Sequence, residues 1–493
     1  MAFNTIPFFI FFLVFYSLYA LTLRRVRVQN VLLLVSSYVF YGWWDWRFLG
    51  LIMISTLVDY ACGLALDRVD DGRRQTRARK WILTGSIITN LGILGFFKYY
   101  NFFLGSAAEL LTAIGLPVHT PALQIVLPIG ISFYTFQTLS YTIDVYRGKQ
   151  RAHRNLLEFA VFVAFFPQLA AGPIVRASEF KRHGQSGMEF SELLPQLANP
   201  RRLQLEQIYQ GGYLILWGLF KKVVIADGLA GLVDRIYDPA LTSVNGGAVL
   251  VATYAFAVQI YCDFSGYTDI ARGLSKWMGL ELPLNFRLPY FATNPSDFWR
   301  RWHITLSQWI RDYLYIPLGG SRCGSPRAMT NLMIAMGLCG LWHGASWTCV
   351  VWGLYHGLLL MGYHILQRLP FPAIRRTSAW VSRFVTFHLV CLGWLVFRAE
   401  SLPHAAALLS ALATAWPWWI IVGANTLAGT GIFVLFWYAL PLLLLQIDQH
   451  RSGDLNALLR MPAWARGFAY TMMVYGVLLA GARVGRSFIY FQF

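Results

Sequence analysis

Charge is scarce in this chain: Asp, Glu, Lys and Arg together supply 13% of its 493 residues. Soluble domains carry about 25%, so a water-exposed globular enzyme or binding module is excluded. Acid is scarcer than base, 23 residues against 41. Cysteine is sparse as well. The six (Cys62, Cys262, Cys323, Cys339, Cys349 and Cys391) show no C-x-x-C spacing, which argues against a disulfide framework or a zinc site, so no metal is expected, and leaves each as a small buried hydrophobe. The P-loop, G-x-G-x-x-G, G-x-S-x-G and H-E-x-x-H patterns are missing too, and with them the chemistries those motifs carry. There is no low-complexity tract and no clear internal repeat.

Apolar residues are abundant, at 57%. Runs of about 20 residues, the length that crosses hydrocarbon as a helix, recur from end to end. The expected fold is all-α and polytopic transmembrane, a single integral membrane domain over 1–493 with about 11–13 membrane segments, some re-entrant. The 19 Trp and 25 Tyr suit many membrane–water boundaries. Phe3–Leu23 reads as a retained first span, because no basic stretch precedes it and no small-residue cleavage site follows.

The net charge of +18 does not point to nucleic acid. The basic residues sit in short loops between apolar spans, where they fix orientation and attract anionic lipid headgroups. Asp67–Lys80 with six basic residues and Arg147–Arg154 with four read as cytoplasmic, whereas residues 105–121 hold no Lys or Arg. The run 156–175 has basic flanks on both sides and contains Pro167, Gly172 and Pro173; it reads as re-entrant or broken. The stretch 272–330, with eight basic residues, is expected to lie on the membrane or dip in from the cytoplasmic side. After Arg398 the stretch 405–446 reads as either two spans or one span with an interfacial segment at Trp416–Trp419.

Polar groups inside hydrocarbon are costly and ask for a reason. His343 stands in Leu341-Trp342-His343-Gly344-Ala345. A helix starting near Asn331 puts it about twelve residues, roughly 18 Å, along, near mid-bilayer. Imidazole held out of water favours its neutral form, which accepts a proton as a general base for a hydroxyl must. His303 closes Asp297-Phe298-Trp299-Arg300-Arg301-Trp302-His303; helical spacing puts Trp299, Trp302, His303 and Ser307 on one face. Arg300, Arg301 and Arg311 can meet donor phosphates or simply snorkel from an interfacial helix. Lys221 and Lys222 either line a polar cavity for the donor or pair with Asp227 or Asp263, and pairing is favoured. His356, Asp263 and Asp269 are further intramembrane polar groups whose default roles are packing and hydrogen bonding.

These residues fall in runs that resemble a known family. Phe166–Arg176, Asp263–Asp269, Phe298–His303, Arg311–Gly320 and Leu341–Gly344 are similar, in order and spacing, to the motifs of the membrane-bound O-acyltransferases. The resemblance is to the branch of bacterial alginate O-acetylation proteins and, more distantly, to the membrane protein of teichoic-acid D-alanylation. It covers most of the chain and is densest over 120–360. It implies a helical fold with a thinned centre, a cytoplasmic funnel for the donor, and His343 and His303 as the family's two histidines. It further implies acetyl-CoA as donor substrate with no permanently bound cofactor. The acetyl group would pass to a periplasmic or extracellular acetyltransferase partner or polysaccharide, in a multi-pass protein of the bacterial inner membrane. The rivals are a polysaccharide or small-molecule transporter, a non-catalytic scaffold, and D-alanyl transfer from a carrier protein. Acyl transfer at His343 also requires a route to its ring from both membrane faces.

Overall fold

A computed structural model describes residues 1–22, 25–69, 76–116, 123–169, 172–177, 193–240, 245–322, 324–368, 377–414, 427–481 and 488–489. Cys323, most of the basic loop after Arg68, Ala170, Ala171 and Trp416–Trp419 lie outside the described residues. The all-α membrane fold is what the chain adopts: the described residues form helices and no strand. Six helical stretches among them are long and apolar enough to cross a membrane: Val26–Arg68, Arg77–Ala113, Gly246–Trp277, Trp347–Arg368, Ala379–Arg398 and Gly429–Ser452.

The chain divides into two compact units. The first, residues 1–215 with 268–283, contains α1 (Ile6–Leu21), α2 (Val26–Asp45), α3 (Leu49–Arg68), α4 (Arg77–Leu94), α5 (Tyr100–Ala113), α6 (Ile131–Tyr146) and α7 (Leu156–Ala164). Buried polar side chains staple three of them. Asp59 of α3, fully buried, accepts from Ser86 and from Asn90 Nδ2 (2.7 Å) of α4 and from Thr142 Oγ1 (2.7 Å) of α6. With no water in hydrocarbon, such groups must satisfy one another inside the protein. α7 is short because Asn155 caps its start and the helix breaks at Phe165, just before Pro167, as expected of a broken run.

α8 (Leu205–Leu219) and α9 (Asp227–Ile236) are joined by a π turn over Phe220–Ala226. α10 (Gly246–Trp277) is a continuous helix whose residues to Tyr267 belong to the second unit. That unit, residues 216–267 with 284–493, also holds the short α11 (Pro295–Arg301) and α12 (Ile304–Trp309) and the longer α13 (Ser325–His343), α14 (Trp347–Arg368) and α15 (Ala379–Arg398). α13 and α14 pack through glycine: a Cβ at Gly353 would lie 2.9 Å from Gly340 Cα. No side chain fits in that seam, so the backbones approach closely, as small residues permit in membranes.

α13 begins at Ser325, where Pro326 follows as a first-turn residue, and ends at His343. The expectation of a helix starting near Asn331 is corrected: it starts earlier, at Ser325, and extended Gly344 (φ −154°) ends it after His343. Beyond Arg398 come α16 (Leu402–Thr414), α17 (Leu427–Ser452) and α18 (Ala463–Gly481).

Candidate active site

Asn294 caps α11 by accepting from Asp297 N at 2.8 Å, and Pro295 suits the first turn because its missing N–H needs no partner there. The helix stops at Arg301. Trp302 is extended (φ −101°, ψ 128°) and His303 is left-handed (φ 41°, ψ 56°). The shared helical face expected for Trp299, Trp302, His303 and Ser307 is therefore corrected, since two separate short helices flank a sharp bend. The bend is pinned from the side: Ile304 N donates to Asn285 O (2.9 Å), Arg287 N donates to Arg301 O (2.9 Å), and Thr305 Oγ1 donates to Asn285 Oδ1 (3.0 Å). A positive φ at a residue with a Cβ is strained, and such residues persist where the surroundings over-determine them, often at functional sites.

The bend turns Trp302 and His303 inward; both are 0% exposed. Trp302 packs on Trp394, Phe286 and Phe298, with ring centres 4.9, 5.0 and 5.7 Å away. The His303 ring meets Phe264 of α10 at 4.7 Å, Trp342 at 5.9 Å and His343 at 6.2 Å. His343, at the end of α13, lies in turn against Trp342 and Trp352 at 5.0 Å each and Phe397 at 6.0 Å. The structure thus brings the two histidines together. Their surroundings are apolar and aromatic rather than charged. The His343 ring is also enclosed, the residue being 2% exposed, and the route to it from both membrane faces that acyl transfer requires is not seen among the described residues.

Lys221 and Lys222, both 2% exposed, sit in the π turn. Lys222 Nζ bridges Asp263 (2.6 Å) and Asp227 (2.9 Å), the pairing favoured by the sequence. Ile489 N also donates to Asp263 Oδ2, at 2.8 Å. Lys221 Nζ donates to Ser265 Oγ at 2.8 Å and lies over Trp217 and Tyr261. Arg301 is held by Asp297 (2.9 Å) and Arg311 by Asp312 (2.7 Å), while Arg300 is exposed. Asp269 belongs to the first unit, where it faces Arg272 at 3.6 Å. His356 of α14 contacts Phe298, Trp299 and Trp352.

Sequence reasoning missed the aromatic lining of Phe264, Trp352, Trp394 and Phe397. One signal was available: Trp352 precedes His356 by one helical turn, a same-face spacing. The contact of Ile489 with Asp263 had no signal at all.

Residues 149–401 match the model of the membrane-bound O-acyltransferase family. The chain is 42% identical over 410 residues to the probable alginate O-acetylase AlgI of Pseudomonas aeruginosa, covering 83% of this chain and 74% of that protein. It is 35% identical to the peptidoglycan O-acetyltransferase of Helicobacter pylori, over 83% of this chain and 79% of that one. The teichoic acid D-alanyltransferase of Bacillus subtilis is 29% identical, over 58% and 72%. His303, His343 and His356 all fall inside the matched segment, and the protein belongs to the membrane-bound O-acyltransferase family: it is a membrane-embedded acyltransferase.

Proposed function

We propose that this acyltransferase moves an acetyl group from cytoplasmic acetyl-CoA to the far side of a bacterial inner membrane, for O-acetylation of an extracytoplasmic polysaccharide through a partner acetyltransferase. The observation that carries the reading is the pair of buried imidazoles, His303 and His343, whose ring centres lie 6.2 Å apart. The names of the relatives from Pseudomonas aeruginosa and Helicobacter pylori, both O-acetylating proteins, support acetyl as the group and a glycan as the acceptor.

In this reading His343 takes the proton of the attacking hydroxyl while its oxygen bonds to the thioester carbon. The C–S bond then breaks and the departing thiolate receives that proton. His303, against the same aromatic wall, steadies the charge that passes through His343. Arg300, exposed near the end of α11, meets donor phosphates in this reading. Burial excludes water and so limits thioester hydrolysis.

Replacing His343 by Ala is expected to abolish polymer acetylation while the protein still folds and inserts. Polymer acetylated at the normal level in that variant would falsify the assignment. The D-alanyl relative makes a carrier-bound aminoacyl donor the second reading. Radiolabelled acetyl-CoA supplied to membranes containing the protein separates the two, since only the first predicts label in the polymer.

A further inference from the structure

Three polar side chains, of which Trp352 lies against His343, take no part in the chemistry above. His356 is 1% exposed, Trp352 0% and Trp299 8%. Both ring nitrogens of His356 and the indole Nε1 of each Trp are buried without a hydrogen-bond partner. Native interiors satisfy nearly all such groups, so a cluster left unsatisfied asks for a reason beyond packing.

The cluster is built from separate elements. Trp352 stands one turn before His356 on α14, with ring centres 4.9 Å apart. Trp299 of α11 lies 5.2 Å from His356 and 5.8 Å from Trp352. Phe298 stacks nearly parallel to the His356 ring, at 5.8 Å and 13°. On α15, Gly393 faces the Nε2 edge: a Cβ there would lie 3.0 Å from Nε2. Trp352 touches both imidazoles, being 5.0 Å from His343 on its other contact.

Indole N–H only donates, and a neutral imidazole donates from one nitrogen. Donors gathered in a dry site, one of them against a general base, fit a ligand oxygen that only accepts and that gains charge as it reacts. We propose that His356 and the indole N–H groups of Trp299 and Trp352 receive the carbonyl oxygen of the acyl thioester and stabilise the oxyanion formed there. This rests on the acyl-transfer reading above. The hydroxyl oxygen bonds to the carbonyl carbon, its proton goes to His343, and the C=O π pair moves onto the oxygen held by the donors. When that pair returns, the C–S bond breaks and the thiolate takes the proton from His343. Donors of this kind hold the transition state more strongly than the substrate, which raises turnover and not affinity.

The test uses inverted membrane vesicles from cells that make the polymer, carrying the full-length protein or a variant, with radiolabelled acetyl-CoA added outside. Label entering polymer, normalised to protein in the membrane, gives kcat and KM. His356→Phe keeps the stacked ring and removes both nitrogens, and Trp352→Phe removes one N–H. We expect kcat to fall about 10²–10³-fold in the first and at least about tenfold in the second, with KM within about twofold. His356→Gln, whose amide still donates, should recover at least about tenfold over His356→Phe. A structural role predicts the reverse, since His356→Phe removes an unsatisfied buried group and should be as active and more heat-resistant. A loss in kcat below about tenfold in a folded His356→Phe protein overturns the proposal; if that variant does not fold, the same threshold applies to Trp352→Phe. Should His343→Ala be inert while His356→Phe is fully active, only this inference falls. Should wild-type vesicles transfer no label, or His343→Ala transfer it fully, the acetyl-transfer reading falls and takes this one with it.

Discussion

His303 and His343 face each other edge to face, ring centres 6.2 Å apart and planes at 74°, although one sits in a bend between two short helices and the other ends a long one. If the two work on one transferred proton, removing both should cost little more than removing His343 alone, because groups acting as a unit are strongly non-additive. Label transfer in His303→Ala, His343→Ala and the double variant measures this. Additive losses would show that the rings act separately. The backbone adds a second readout. With φ at 41°, His303→Asn should melt at a higher temperature than His303→Ala, since Asn tolerates the left-handed region better.

Lys222 holds the buried Asp263 at 2.6 Å and Asp227 at 2.9 Å. Lys222→Met leaves a carboxylate buried without its cation, a change that costs about 3–5 kcal/mol. Thermal unfolding in detergent should show that loss, and Lys222→Met combined with Asp263→Asn should regain much of it. A single variant as heat-stable as the parent would mean the pair does not hold this region together.

The glycine seam between α13 and α14 sets where His343 lies. Gly353→Ala places a Cβ 2.9 Å from Gly340 Cα and Gly340 N, so the helices must separate. Overpacking of this kind costs about 1–3 kcal/mol, and we expect lower protein yield and lost acyl transfer. Gly362→Ala, on the same helix with nothing within 4 Å, should leave both unchanged. Equal behaviour of the two variants in a yield and activity assay would remove the seam's importance.

The arginines are expected to divide by their neighbours. Arg300 is exposed, so Arg300→Ala should raise KM for acetyl-CoA several-fold and weaken its salt dependence, with kcat and melting temperature unchanged. Arg301→Ala breaks the contact with Asp297 at 2.9 Å inside the segment that forms the bend, and should lower kcat and heat stability together. An Arg300→Ala enzyme with unchanged KM would remove it from donor binding.

Much of the architecture was legible in the sequence because its signals are local. A break near Pro167 is written in a residue that cannot continue a helix, and the observed break falls at Phe165. The inward Lys222 was legible as well, since a cation in an apolar run requires carboxylate partners, and Asp263 and Asp227 are its partners. The bend at Trp302–His303 was not. Helical periodicity extends smoothly through Trp299, Trp302, His303 and Ser307, whereas the interruption comes from Asn285 and Arg287, residues on another segment that hold the backbone of Ile304 and Arg301. The start of α13 was misread for a similar reason. The polar residues from Ser325 to Asn331 look like loop, yet Pro326 in the first turn opens a helix that runs to His343.

By itself the sequence determined that this protein lives in a membrane, that it is helical, and which histidines stand in acyltransferase motifs. Those follow from composition, from the length of apolar runs and from short patterns, all set by neighbours along the chain. Only the tertiary structure decided that His303 and His343 meet, that Lys222 serves Asp263, and that His356 gathers with Trp299 and Trp352. Such meetings depend on how distant helices pack, here on a glycine seam and a strained bend, and no local pattern encodes the distance between two elements.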